Sequence, residues 1–257
     1  MKTLLTVFLA VFCATALGGQ CTATSAERTL ALVELYTSEG CDSCPPADRW
    51  LSSLGARGFA PDRVVPIALH VDYWDYIGWK DPYARAVHSA RQRKMARLAR
   101  AAMVYTPQVL LQGQDFRGWD GSEFDRAVAR INAGPAKARI GLTLDTARPG
   151  LFQVAATAEL LQAAPGADPA LFLAAYENKL VSEVRAGENR GKTLPHDFVV
   201  LQWAGPYEFK GGGRLAESVS LPLLPKAVPG HSGVVAFVQN RANSEVLQAL
   251  MLPACPR

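Results

Sequence analysis

The sequence predicts an α/β domain at residues 28–135 followed by a mostly-β, sandwich-like domain at residues 138–257. Three observations support this fold class. Strand-like and helix-like runs alternate in the first part, short apolar or alternating runs between turn residues fill the second part, and the two patterns change near residue 135. With 257 residues and 49% hydrophobic composition, the chain is large enough to bury a core in each part.

The first 20 residues have the pattern of a secretory signal peptide. An early lysine precedes an apolar run from Leu4 to Val11, and small residues follow that run. The run is too short to span a bilayer, so we expect cleavage near Gly18 and a periplasmic or secreted product without stable membrane insertion. An uncleaved anchor is the alternative.

The elements of the first part follow from their apolar spacing. A strand-forming run ends just before two cysteines, and the segment after the cysteines has one apolar helical face. The next run is apolar almost throughout, as expected for a strand buried on both faces of a parallel sheet. In order, the predicted elements are a strand at 29–36, a helix at 47–54, a strand at 63–71, a helix at 85–100, a hairpin of strands at 109–112 and 116–119, and a helix at 122–133.

The second part lacks helical periodicity. From residue 138 onward, short apolar or alternating runs are separated by segments such as ARPG, APGAD and KGGG. Such spacing predicts an antiparallel sandwich of about six or seven strands.

Charge excludes one class of partner. The net charge of +4 is too small to indicate nucleic acid binding. The basic residues concentrate in the helix at 85–100, which we interpret as a solvated face. A site for an acidic partner or an anionic membrane is the alternative there.

Five cysteines set the redox question. Cleavage of the signal peptide would remove Cys13 and leave four. Cys41 and Cys44 form a C-x-x-C pair, whereas Cys21 and Cys255 lie near opposite ends of the mature chain. Because chain termini are often close together, a disulfide between Cys21 and Cys255 is one reading, and two free thiols are the other.

Two strings of residues carry a resemblance to a known family. ELYTSEGCDSCPPAD and HVDYWDYIGWKDPYA resemble a family of secreted bacterial thioredoxin-like proteins of unknown function, as does GENRGKTLPHDFVV in the second part. The element order of residues 30–134, with a C-x-x-C loop after the first strand and Thr106-Pro107 before the hairpin, resembles the thioredoxin fold. The resemblance therefore implies a thioredoxin-like α/β N-terminal domain before the sandwich.

The same resemblance assigns roles beside the cysteines. It implies that Pro107 is a cis proline standing against the dithiol, with Thr106 beside the substrate. Taken without the resemblance, Pro107 is an ordinary proline at the start of a strand, because only about one X-Pro bond in twenty is cis. The resemblance also implies that Glu34 relays protons beneath the dithiol, because related oxidoreductases have an acidic residue near this point of the first strand. A buried structural carboxylate with a charged partner is the alternative for Glu34.

The position of the cysteine pair suits disulfide exchange. Cys41 would lie at the start of a helix, where unpaired amides and the macrodipole favour a thiolate, so we assign it as the nucleophile and Cys44 as the resolving thiol. Asp42 would raise the pKa of Cys41, and these opposing effects leave the direction of electron transfer open. The expected partners are protein thiols or disulfides, or a redox partner protein, and no diffusible cofactor is required.

Three alternatives to a thiol-disulfide oxidoreductase are kept. Cys41, Cys44 and His70 could together bind copper or zinc if His70 lies at the same edge of the sheet. The pair could be an inert structural disulfide. The second part could also be a binding module, with the dithiol unused.

The connection at residues 72–84 is unusually aromatic. Its aromatic residues are Tyr73, Trp74, Tyr76, Trp79 and Tyr83. They would either line a binding groove beside the cysteines or bury themselves against the rest of the protein, and the sequence favours neither.

Overall fold

The computed structural model describes residues 19–162, 165–225 and 227–255. Residues 1–18, which hold most of the predicted signal peptide, lie outside the described residues. The strands are β1 (Gln20–Thr24), β2 (Ala31–Thr37), β3 (Val64–His70), β4 (Gln108–Leu111), β5 (Gln114–Asp115), β6 (Ala138–Asp145), β7 (Leu151–Leu160), β8 (Pro169–Glu177), β9 (Leu180–Glu183), β10 (Thr193–His196), β11 (Val199–Glu208), β12 (Arg214–Pro222), β13 (Ser232–Asn240) and β14 (Val246–Pro253). The α-helices are α1 (Pro45–Ser53), α2 (Ala86–Leu98) and α3 (Ser122–Ala133), and short 3-10 helices span Asp72–Ile77 and Pro229–His231.

An eight-stranded sheet runs through both parts of the chain. Its strand order is β14-β13-β8-β11-β3-β2-β4-β5, so strands of the second part continue the sheet begun by the first. The junction is between β11 and β3, which pair in parallel with Val199 opposite Ala68. Every residue of β2 and β3 is buried, because both faces of these strands are covered.

Helices cover the β2–β4 end of this sheet. Trp50 and Leu51 of α1 and Phe124 of α3 pack on one face, against Val33 and Leu35 of β2. On the opposite face, α2 contributes Met95 to a core that also contains residues from β8 and β13. The end of β2 is thereby held rigidly where the chain turns into the cysteine loop.

A second sheet packs on the other end of the large one. Its order is β1-β6-β7-β12, and its inward residues meet those of β8 and β13 in a separate apolar core. Burial alternates along β6, as expected for a strand with one face on the core and one face in water. Strands β9 and β10 form a two-stranded ladder of their own.

The predicted fold class is wrong. It placed a thioredoxin-like α/β domain before a separate sandwich, but the described residues are mostly β, with 42% in strands and 18% in helices. The strands of the first part do not form a sheet of their own, because β11 closes the β3 edge and joins them to the second part. An edge strand with both faces buried needs a neighbour, and local sequence does not show which distant segment supplies it. The predicted boundary near residue 135 stays a prediction.

The hairpin partner of β4 was also misplaced. It was expected at residues 116–119, but β5 is Gln114–Asp115, because the turn uses only Gln112 and Gly113. Both turn residues have positive φ, 52° and 77°, as a tight two-residue hairpin requires. A Cβ at Gly113 would lie 2.2 Å from the Ser244 carbonyl oxygen, so only glycine fits there.

Cys21 and Cys255 form a disulfide. Their Cα atoms are 5.5 Å apart although 234 positions separate them in sequence. The bond joins β1 to the segment that follows β14, and we call it the clasp. Of the two alternatives for these cysteines, the disulfide is therefore the one observed. Among the described helices, none is both long enough and apolar enough to cross a membrane.

Candidate active site

Cys41 and Cys44 lie between the end of β2 and the start of α1. Pro45 and Pro46 begin the helix, where a missing N–H costs no hydrogen bond. The Cys44 amide donates to the Cys41 carbonyl at 3.3 Å, which closes a turn that brings both thiols to the helix start. Both are free thiols.

Thr106 and Pro107 stand beside this dithiol. The Thr106-Pro107 peptide bond is cis. The Cys41 Sγ lies 3.9 Å from the Thr106 carbonyl oxygen, and the Thr106 hydroxyl accepts a hydrogen bond from Trp74 Nε1 at 2.7 Å. The structure therefore brings together Cys41, Cys44, Thr106 and Pro107.

The two thiols have opposite tendencies to ionise. A hydrogen bond with the Cys44 thiol lowers the pKa of Cys41 to about 6, against the opposing effect of burial. The Ser43 hydroxyl, 3.2 Å from the Cys41 Sγ, lowers this pKa further. Burial raises the pKa of Cys44 well above its ordinary value, and the hydrogen bond with Cys41 and the nearby Asp48 carboxylate add to that effect. Cys41 is therefore the thiolate and Cys44 the protonated partner.

Asp48 is a buried carboxylate one helical turn beyond Cys44. Its amide donates to the Cys44 carbonyl at 3.1 Å, and its carboxylate is close enough to help raise the pKa of Cys44. Its Oδ2 accepts a hydrogen bond from the Thr37 hydroxyl at 3.1 Å. Burial raises the pKa of Asp48, although the nearby His196 and His70 oppose the rise.

Two buried histidine–carboxylate pairs lie behind the dithiol. His70 Nδ1 is 2.7 Å from Asp81 Oδ2, and His196 Nε2 is 3.1 Å from Glu39 Oε1. The two imidazole rings meet edge to face with centroids 4.9 Å apart, and the second ring nitrogen of each has no hydrogen-bond partner. Burial disfavours the charged form of His70, but the Asp81 carboxylate outweighs it and raises the His70 pKa. His196 comes from the second part of the chain.

Glu34 is engaged elsewhere. Its carboxylate makes a two-fold ion pair with the Arg91 guanidinium at 2.6 and 2.8 Å and accepts a hydrogen bond from the Tyr36 hydroxyl at 3.0 Å. Arg91 also donates to Gln239 of β13 at 3.0 Å. Among the described residues, no hydrogen bond joins Glu34 to either cysteine. These contacts match the paired structural carboxylate, and the relay role stays a prediction without support from geometry.

A segment of the second part lies over the cysteine loop. We call residues 184–192, the connection between β9 and β10, the strap. The Asn189 Nδ2 donates to the carbonyl oxygens of Glu39 and Cys41, at 2.9 and 2.7 Å. The Asp42 amide donates to the Glu188 carboxylate at 3.0 Å. With the strap in this position, Cys41 is only 1% exposed.

The aromatic connection packs along the same loop. A Cβ added to Gly40 would lie 3.2 Å from Ile77 and 3.3 Å from Trp74, so the two segments are in close contact. Trp79 Nε1 donates to Glu39 Oε2 at 2.7 Å. Tyr76, by contrast, is 82% exposed. The connection therefore packs against the cysteine loop through Trp74, Ile77 and Trp79, whereas Tyr76 is exposed, and the binding groove stays a prediction.

The three residues considered as metal ligands, Cys41, Cys44 and His70, do not come together as a metal site. Within the ranges that the structure describes, no group of three or more His, Cys, Asp and Glu side chains could hold a metal ion. His70 is directed to Asp81 instead. The geometry gives the set of Cys41, Cys44 and His70 no support.

Several residues of this site escaped the sequence analysis. They are polar residues whose burial depends on distant segments: Glu39, Asp48, Asp81, Asn189 and His196. All five lie within the three strings that carry the family resemblance, and nothing in their local sequence marks them as buried.

Comparison with known proteins identifies the family but not an activity. None of the curated proteins is significantly similar to this chain. A crystal structure of protein AGR_C_4864 from Agrobacterium tumefaciens is similar, with 26% identity, a TM-score of 0.61, and coverage of 89% of this chain and 96% of that one. HBP35 of Porphyromonas gingivalis, 14% identical, shares the fold with a TM-score of 0.68 over 89% of this chain and 76% of its own. Residues 32–239 match the model of DUF1223, a family of proteins of unknown function, and the chain belongs to that family.

Proposed function

We propose that this member of the family is a thiol-disulfide oxidoreductase that acts outside the cytoplasm on protein thiols or disulfides. The observation that carries the proposal is the environment of Cys41, a thiol at a helix start with a pKa of about 6, placed 3.9 Å from the Thr106 carbonyl. At pH 7 a thiol with such a pKa is about nine-tenths thiolate, the form that attacks disulfides. The likeness of the C-x-x-C and Thr-Pro motifs to those of thioredoxin-like proteins supports the same activity.

The reaction needs only the two cysteines and a partner disulfide. The Cys41 thiolate attacks one partner sulfur, which forms a mixed disulfide and releases the other partner sulfur as a thiolate. Cys44 then loses its proton and attacks the Cys41 Sγ. The partner sulfur that was bound to Cys41 leaves and takes up a proton. The dithiol loses two electrons, the partner disulfide gains them, and the reverse sequence oxidises a partner dithiol.

Asp48 is the proton acceptor for Cys44 in this proposal. The raised pKa of Cys44 makes its deprotonation the demanding step, and the Asp48 carboxylate, one turn along the helix, is close enough to influence that pKa. A buried carboxylate whose own pKa is raised takes a proton more readily than an exposed one. The charge of a protonated His70 lowers the pKa of Asp48 and so opposes this role, but the effect of burial outweighs it.

Two features support action outside the cytoplasm. The signal-peptide pattern of the first 20 residues favours export. The Cys21–Cys255 disulfide favours an oxidising compartment, where such bonds persist.

Mixed-disulfide trapping with insulin as the probe tests this function. The Cys44→Ser variant keeps the nucleophile but cannot resolve the mixed disulfide, so we expect it to accumulate a covalent adduct with an insulin chain, detected by intact mass. Dithiothreitol should release the adduct, and Cys41→Ser should form none. Equal adduct formation by both variants, or none by Cys44→Ser, would contradict the proposed role of Cys41.

A further inference from the structure

The strap is hydrogen-bonded to the backbone on both sides of Gly40 and to the Asp42 amide, and Cys41, whose sulfur the proposed reaction must expose, is almost fully buried. Resting on the proposed function, we infer that the strap selects the substrate, with Glu188 and Asn189 as its specificity-determining residues. They admit disulfides in extended, flexible polypeptide segments, which can displace the strap, and exclude disulfides held rigidly in folded partners.

Asn189 is the main anchor of the strap. Its side chain is fully buried and its Nδ2 donates to two carbonyls of the cysteine loop, those of Glu39 and Cys41. Lys192 Nζ donates to the Asn189 Oδ1 at 2.8 Å and so fixes the orientation of the amide. One side chain from the second part therefore holds the backbone on both sides of Gly40.

Glu188 occupies a main-chain donor that a substrate would use. Its carboxylate accepts from the Asp42 amide, which lies inside the C-x-x-C motif next to the nucleophile. A peptide carbonyl oxygen has the same acceptor chemistry and can replace the carboxylate. An extended segment passing Cys41 would therefore satisfy the amide that Glu188 releases.

The apolar packing of the strap is confined to Val184, which is buried, and to the contact made at Gly187. Most of its residues are exposed, and its close approach to the aromatic connection is made by Gly187, at φ +73°. A Cβ at this position would lie 3.1 Å from Ile77 Cδ1 and 3.4 Å from Trp79 Cβ. Segments with few buried apolar contacts open locally at low free energy, and here opening breaks the Asn189 and Glu188 hydrogen bonds together with the contacts at Gly187.

Alkylation of Cys41 by two reagents of different size measures this opening. The reagents are iodoacetamide and a maleimide attached to polyethylene glycol, applied to the reduced full mature chain at pH 7, with the modified cysteine identified by mass. Asn189→Ala removes both donors, and we expect the bulky reagent to react about tenfold faster with it, because buried carbonyls lose their partners. Glu188→Ala should give a smaller increase. Arg190→Ala, an exposed strap residue, is the matched control and should leave both rates unchanged.

A disulfide that locks the strap closed should slow the alkylation of Cys41 instead. A Cβ at Gly78 would lie 3.9 Å from the Ala186 Cβ, within the span of a disulfide of about 3.5–4.5 Å. In a Cys44→Ser background, we expect oxidised Gly78→Cys/Ala186→Cys to protect Cys41 from the bulky reagent by about tenfold or more. Gly78→Ser/Ala186→Ser in the same background is the control.

These outcomes separate the strap from the proposed chemistry. Alkylation needs an exposed thiolate but no disulfide exchange, so the expected changes would support the strap even if insulin trapping failed. Equal bulky-reagent rates in wild type, Asn189→Ala and the locked variant would overturn the inference while leaving the redox proposal intact. If the strap selects flexible partners, the wild type should reduce unfolded disulfide-bonded ribonuclease faster than the native form, and the ratio of these two rates should be smaller for Asn189→Ala. An equal ratio in the two proteins would overturn the proposed selectivity.

Discussion

The molecule contains two cysteine pairs that its folded surroundings treat differently. Cys21 and Cys255 are joined beside an apolar core and bind the two ends of the chain. Cys41 and Cys44 are free thiols at a helix start, next to Ser43, the Thr106 carbonyl and a buried carboxylate. Reactivity therefore comes from surrounding groups that stabilise a thiolate, since both pairs have the same side chains.

Removal of the nucleophile should have the largest effect, because only the Cys41–Cys44 pair should be needed for catalysis. In the reduction of insulin disulfides by dithiothreitol, we expect Cys41→Ser to lower the catalysed rate to that of the uncatalysed reaction. The double variant Cys21→Ser/Cys255→Ser should keep the wild-type rate per folded molecule. If the double variant were as inactive as Cys41→Ser while still folded by circular dichroism, the two pairs would not differ in function as we propose.

Removal of the clasp should act on stability instead. The closed loop spans most of the chain, so we expect Cys21→Ser/Cys255→Ser to lower the free energy of unfolding by about 4 kcal/mol. Urea unfolding followed by fluorescence measures this loss. Cys41→Ser/Cys44→Ser is the matched control, because those thiols are unbonded, and it should change the free energy far less. A larger loss in the control would show that the dithiol, not the clasp, is the structural pair.

Asp48 and Glu34 are both buried carboxylates, and their substitutions should have different effects. Asp48→Asn removes the proposed proton acceptor, and we expect resolution of the mixed disulfide to slow by about 10²-fold, measured by rapid quench. Glu34→Gln leaves Arg91 buried without its partner, which should destabilise the fold by about 3–5 kcal/mol with little change in the resolution rate of folded molecules. If Glu34→Gln slowed resolution and Asp48→Asn did not, the proton acceptor would be Glu34.

The smallest predicted effect concerns the ionisation of Cys41. The thiolate is the reactive form, so its alkylation rate by iodoacetamide should rise with pH through a midpoint of about 6 and then level off. An ordinary thiol would continue to gain reactivity up to its pKa of 9.0. Ser43→Ala removes one hydrogen bond that lowers the pKa, so the midpoint should move upward by less than about one unit. A wild-type midpoint near 9 would contradict the assignment of Cys41 as the activated thiol.

Local patterns predicted what local physics decides. The strand before the cysteines, the helix after them and the helix that begins at Ser122 all depend on spacing within a few residues. The first two are present with shifted ends, and the third spans its predicted residues. The placement of Thr106 and Pro107 beside Cys41 came from the family resemblance, not from spacing. The pairing of Val199 with Ala68, which merges the two predicted domains into one sheet, has no local signal, because it joins segments far apart in the chain.

The polar part of the site was hidden for the same reason. His196 meets Glu39, and Asn189 meets Cys41, only after β9 and β10 fold back over the first part. For Glu34, the burial was predicted but the partner was not. Its burial was predicted correctly from its strand, but its partner Arg91 was assigned to a solvated basic helix, and the pairing was therefore missed.

A redox titration of Cys41 and Cys44 in glutathione buffers tests the central claim most directly. The mature protein is equilibrated at a series of glutathione to glutathione disulfide ratios, quenched with acid, alkylated and measured by intact mass. We expect the Cys41–Cys44 pair to change reversibly and cooperatively between dithiol and disulfide, while the Cys21–Cys255 bond stays oxidised throughout. A pair that remains alkylatable at every ratio in the folded protein, yet oxidises when the chain is unfolded, would contradict a redox role for this site.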